Sequence, residues 1–124
     1  MILVDTSVWI EFFKKREPLF SRLREEIEAG RILAHSLVFA ELLQGCRNNS
    51  EAELVLNYWE TLRDSESTSG IVAGGLLSFQ LKLIAKGIGL VDAVLVSETR
   101  RRKTQLWTLD KGISRILEDF ELFN

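Results

Sequence analysis

Four acids carry most of the chemistry this sequence offers: Asp5, Glu41, Asp92 and Asp110. Asp5 follows the continuous apolar run Ile2-Leu3-Val4, and Asp110 follows Leu106-Trp107-Thr108-Leu109. Runs of this kind read as strands buried on both faces, as in a parallel sheet, so both acids project at the rim where α/β proteins bind ligands. Asp92 opens a helix after Gly87-Ile88-Gly89, where the helix dipole favours a carboxylate by about 0.3–1 kcal/mol. Glu41 is the lone acid of an apolar stretch from Leu37 to Gly45. Taken singly, the three aspartates read equally well as helix caps or turn residues, and Glu41 as an acid facing solvent.

If the four converge, they cannot do so as bare anions. Two carboxylates 4 Å apart repel by about 4 kcal/mol at an effective dielectric of 20, and six such pairs would outweigh the stability of a typical domain. Either a cation sits among them or some are protonated. An all-oxygen donor set selects hard ions, so Mg²⁺ or Mn²⁺ is the expected guest and zinc is disfavoured. A carboxylate-held metal pair lowers the pKa of a bound water and stabilises charge on a phosphodiester oxygen, which cleaves nucleic acid without a histidine base. The basic run Arg100, Arg101, Arg102 and Lys103 could hold a phosphate backbone near such a site; it reads equally as a solvated helix end. His35 and Cys46, single residues of their types, read as a packed histidine and a small helix residue rather than a catalytic pair.

These acids need strands and helices to position them. Ile2 to Val4 predicts the first strand, and Thr6 or Ser7 caps a helix carrying Val8, Trp9, Ile10, Phe12 and Phe13. Leu19 to Ala29 is an amphipathic helix closed by Gly30, Arg31 to His35 a second strand, and Ser36 the cap of a helix running to Gln44. Glu51 to Leu62 is helical, Arg63 to Gly70 a polar loop with at most a weak edge strand, and Ile71 to Lys86 a helix in which Gly74-Gly75 marks close packing. A helix from Val91 to Arg101 precedes the third strand, a short helix carries Ile113, Ile116 and Leu117, and Phe120 to Phe123 adds an edge strand. Strands alternating with helices imply a three-layer α/β/α sandwich with a central, mainly parallel sheet, as one domain over residues 1–124. Trp9, Phe12, Phe13, Trp59 and Phe79 read as core or dimer packing rather than base stacking.

Composition sets the outer bounds. The chain has 124 residues, 46% of them hydrophobic, with a net charge of −2, which excludes a protein that coats nucleic acid by bulk charge. A domain of this length buries roughly two-thirds of its unfolded surface and needs no disulfide. The N-terminus lacks a signal-peptide pattern and no run of 18 apolar residues occurs, so a cytoplasmic location and no membrane contact are expected.

The stretches M-I-L-V-D-T-S-V-W-I, A-E-L-L-Q-G and G-L-V-D-A-V-L-V-S-E-T, followed by L-W-T-L-D-K, resemble the signature blocks of the PIN-domain family, and within it the VapC-type toxin ribonucleases. The resemblance runs in family order from Met1 to about Ser114. It implies a Mg²⁺- or Mn²⁺-dependent endoribonuclease in which Asp5 and Asp92 match the principal metal ligands. Glu41 matches the acid that completes the cluster or orients water, and Asp110 the further acid. Thr6 or Ser7, and Thr108, match the supporting hydroxyls. It also implies an RNA substrate, a homodimer, and a small VapB-type antitoxin whose C-terminal tail covers the acidic cleft. Gly112 departs from relatives that carry a further acid there. Two unrelated folds fail on residues: a phosphoacceptor receiver domain needs adjacent acids after the first strand and a haloacid-dehalogenase phosphatase needs Asp-x-Asp, whereas this chain reads Asp5-Thr6-Ser7. The remaining alternative is a PIN-like domain that binds RNA or a protein without cutting.

Overall fold

The computed structural model describes residues 1–64 and 66–124. Ser65, inside the expected polar loop, lies outside the described residues. Three strands form one parallel sheet: β1 (Ile2–Val4), β2 (Ile32–Leu33) and β3 (Gln105–Trp107), in the order β2-β1-β3. Ile2 pairs with Ile32 and Gln105, Leu3 with Leu33 and Leu106, and Val4 with Trp107. All three residues of β1 are buried, as a central strand covered on both faces requires. Because β1 is central, the rim beyond its C-terminal end is where β2 and β3 also deliver their following residues.

Helices fill the crossovers: α1 (Thr6–Phe13) and α2 (Leu19–Glu28), then α3 (Ser36–Gln44), α4 (Asn49–Leu62), α5 (Thr68–Leu81) and α6 (Leu90–Arg102), then the short α7 (Lys111–Ser114). α1 packs on α2 and α3, and α3 on α4, whereas α5 pairs with α6 and α6 runs against β3. The expected α/β sandwich is therefore present. Trp9, Phe12 and Phe39 form its buried aromatic centre, joined by Phe13, Phe20, Tyr58 and Trp59. No helix among the described residues is long and apolar enough to cross a membrane.

Four local expectations are corrected. The N-caps of α1 and α3 are Asp5 and His35, not the hydroxyl residues after them. Cys46 lies beyond α3, its thiol donating to the Leu42 carbonyl at 3.3 Å. The helix expected over Ile71 to Lys86 starts earlier and stops at Leu81, where Lys82 turns left-handed at φ 53°, and a 3-10 turn covers Ile84–Lys86. The edge strand expected at Phe120 to Phe123 is a 3-10 turn followed by a single bridge from Leu122 to Leu106.

Gly74 and Gly75 have separate meanings. A Cβ on Gly74 would stand 2.6 Å from the Val94 Cα, so α5 and α6 touch backbone to backbone there. One turn earlier, a Cβ on Gly70 would collide with the buried Glu98 carboxylate. Around Gly75 there is open space.

Candidate active site

Asp5 is the hub of the rim. It is 3% exposed and caps α1. Its Oδ1 accepts from the Ser7 N–H at 2.6 Å, the Val8 N–H at 3.4 Å and the Ser7 hydroxyl, and its Oδ2 accepts from the Thr108 hydroxyl. Both hydroxyls also accept a bond. Ser7 Oγ takes the Leu109 N–H at 3.0 Å and Thr108 Oγ1 takes the Asp110 N–H at 3.0 Å. The loop after β3 is thus tied to the end of β1 through the carboxylate itself, which fixes Asp110 relative to Asp5.

The other acids arrive from separate elements. The Thr6 hydroxyl donates to Glu41 Oε1 at 2.8 Å, which brings the acid of α3 to the first turn of α1. Asp110 caps α7, accepting from the Ile113 N–H at 3.1 Å. A Cβ on Gly112 would approach Asp110 Oδ1 to 3.0 Å, so a glycine there leaves that carboxylate room. Asp92 lies in the first turn of α6. Its carboxyl is pushed up to about 6, first by burial and then by the charges of Asp5, Asp110 and Glu41. Three carboxylates from three other elements act on Asp92, so the four sequence-predicted acids lie within electrostatic reach of one another.

Among the described residues, no three His, Cys, Asp or Glu side chains are drawn tightly enough together to ligate one ion. The donor chemistry still suits a hard cation, because every group at the cleft is a carboxylate or hydroxyl oxygen. A divalent charge would also relieve the repulsion that holds the Asp92 proton.

The basic run is placed elsewhere. Eight residues, about 12 Å of helix, separate Asp92 from Arg100, and Lys103 precedes β3 at the opposite rim. Arg100 donates to Glu121 at 3.0 Å and to the Ile116 carbonyl at 2.9 Å; Arg101 clamps Glu98 at 3.0 and 2.6 Å; Arg102 meets Asp64 at 2.6 Å. The structure does not bring Arg100, Arg101, Arg102 and Lys103 to the acids, because three of the four cations are committed to partners within the chain. Glu98, 1% exposed, is the acid that sequence reading passed over; its spacing of three from Arg101 was the available signal. His35 is a packed residue. It is buried, its Nδ1 accepts from the Leu37 N–H at 3.1 Å, and burial lowers its pKa against the opposing pull of Glu66 and Glu98.

Residues 2–118 match the PIN domain family. The chain belongs to that family. Ribonuclease VapC32 of Mycobacterium tuberculosis, in both the CDC 1551 / Oshkosh and H37Rv strains, is 33% identical over 114 residues, spanning 91% of this chain and 87% of the relative. The crystal structure of VapBC2 from Rickettsia felis bound to a DNA fragment from their promoter shares the fold at a TM-score of 0.70 with 21% identity. It aligns over 98% of this chain and 96% of the other. This PIN-domain protein therefore has the α/β sandwich expected from its sequence blocks, with Asp5, Glu41, Asp92 and Asp110 at one rim.

Proposed function

We propose that this PIN-domain protein is a divalent-metal-dependent endoribonuclease of the VapC type, the toxin of a toxin–antitoxin pair acting in the cytoplasm. The observation that supports this reading is the position of Asp92, where burial and then the charges of Asp5, Asp110 and Glu41 raise its pKa to about 6. The relationship to a protein named ribonuclease VapC32 supplies the substrate class, and the VapBC2 neighbour supports a small VapB-type partner. Asp5 and Asp92 would hold the metal, with Glu41 and Asp110 completing the set. A bound Mg²⁺ or Mn²⁺ supplies charge neutralisation at a phosphodiester oxygen and a water of lowered pKa. Asp5 is immobilised by four donors and so holds its geometry as the charge at the cleft changes. Glu41, exposed and accepting from the Thr6 hydroxyl, would complete the set or orient a water.

The test is cleavage of a total-RNA preparation by purified protein with Mg²⁺, Mn²⁺ or EDTA, beside an Asp5→Asn/Asp92→Asn double variant and with co-purified antitoxin excluded. Discrete fragments that need metal and vanish in the variant are the expected result. Equal cutting by the variant, or binding of Mn²⁺ and RNA without cutting, refutes the proposal; the second outcome identifies a binding-only PIN domain.

A further inference from the structure

A polyanion is repelled by four acids unless cations stand beside them. Among the described residues no ion pair involves Asp5, Glu41, Asp92 or Asp110, so their charge is not compensated within the chain. A metal compensates it at the reacting phosphate only; the neighbouring phosphates of the strand need cations of their own. Arg100, Arg101 and Arg102 do not supply them, since each is engaged by a carboxylate of its own chain.

Three other cations are exposed and enter no ion pair among the described residues: Lys86, Lys111 and Arg115. Lys111 follows Asp110 directly and opens α7, and Arg115 stands four residues on, the spacing that puts two side chains on one helical face. Lys86 ends the 3-10 turn that leads to α6 and Asp92. The two turns are in contact. A Cβ on Gly112 would stand 3.8 Å from the Ile88 side chain, and Ile116 packs against Leu83, Ile88 and Ala93. The fold thus joins two exposed, cation-bearing turns, one leading to Asp92 and the other following Asp110. Cations without partners in the chain, beside acids without partners in the chain, suit a ligand that carries phosphate along its length. We infer that Lys86, Lys111 and Arg115 form the phosphate track of the RNA substrate, holding its backbone beside the acids by charge, and that the run from Arg100 to Lys103 has no part in it. The inference rests on the ribonuclease reading above.

Fluorescence anisotropy of a labelled single-stranded RNA oligonucleotide with the full chain tests it, in EDTA to prevent cutting and over a range of KCl concentrations. Lys86→Gln, Lys111→Gln and Arg115→Gln are each expected to weaken binding about threefold to tenfold at low salt and to flatten the slope of log affinity against log salt by about 0.7, as the loss of one phosphate contact on a single strand does. Lys103→Gln removes a like charge at the opposite rim and is expected to leave both quantities unchanged. Circular dichroism is expected to be the same for all four variants, since every substituted residue is exposed. Wild-type affinity in any of the three track variants overturns the inference. An equal loss in Lys103→Gln also overturns it, because net charge alone would then set the affinity, and so does a wild-type chain that binds no RNA at the lowest salt. Adding Mg²⁺ to the same samples reads cutting separately. RNA held through the three cations but left intact refutes the ribonuclease reading alone, and RNA cut by the three variants with wild-type KM refutes the track alone.

Discussion

The two ends of α6 carry opposite charge and solve the problem of charge in opposite ways. At its C-terminal end Arg100, Arg101 and Arg102 each meet a carboxylate of the same chain, and Arg101 does so with a bidentate grip on the buried Glu98. At its N-terminal end Asp92 faces three more acids, whose summed repulsion adds to burial in raising its pKa. The basic end is closed within the chain. The acidic end is left with an excess of like charge, and an excess held in a fixed place is what a ligand of opposite charge can use. A run of charges in sequence therefore locates a function only after its internal partners are known.

The largest expected effects break the acidic end. Asp92→Asn is expected to lower RNA cleavage by about 10³-fold or more, measured as initial rate at saturating Mg²⁺. The same change is expected to stabilise the fold. Asp92 binds its proton more tightly in the folded chain, at about 6 against 3.8, so stability falls as pH rises through that window. Without metal, removing the group should erase this slope and add about 1–2 kcal/mol above pH 6, which urea melts at pH 4 and pH 7 would register. Next in size is the scaffold of the helix itself. Gly74→Leu drives a side chain into the Val94 backbone and is expected to destabilise the protein by about 3 kcal/mol or more, read from its thermal midpoint.

A smaller effect concerns the hydroxyl relay. Thr108→Val removes the link between Asp5 Oδ2 and the Asp110 N–H and is expected to slow cleavage about 10- to 100-fold, with Thr108→Ser restoring most of it. The smallest effect belongs to the basic end. Arg102→Ala is expected to leave cleavage within about twofold and to change stability by less than about 1 kcal/mol, because its pair with Asp64 lies at the surface. A large loss of RNA affinity in Arg102→Ala would erase the contrast between the two ends.

The legible parts of this molecule were those in which one local signal decides. Ile2-Leu3-Val4 could only be a strand buried on both faces, and the acids after β1 and β3 followed from it. The amphipathic α2 and α4 were equally plain. The caps were harder, since Asp5 and Thr6, or His35 and Ser36, are adjacent residues able to do the same task, and tertiary partners chose between them. At α3 that partner is Glu66, 30 residues on, which binds both the N–H and the hydroxyl of Ser36. The partners of the basic run were hidden for the same reason. Glu121 and Asp64 lie 21 and 38 residues from the arginines they engage, and no periodicity within α6 announces such partners. Glu41 was recognised as an acid in apolar surroundings, but only the contact with Thr6 shows which side of α3 it occupies.

Direct titration of Asp92 is the sharpest test of this account. Its side-chain carboxyl can be followed by ¹³C NMR across pH in metal-free protein and again with Mg²⁺. The account predicts a midpoint near 6 without metal, displaced well downward when Mg²⁺ is added, with Asp5→Asn reducing both the starting value and the displacement. A midpoint near 4 that neither Mg²⁺ nor Asp5→Asn moves would contradict it, because Asp92 would then stand apart from the other acids and the cleft would hold no common charge.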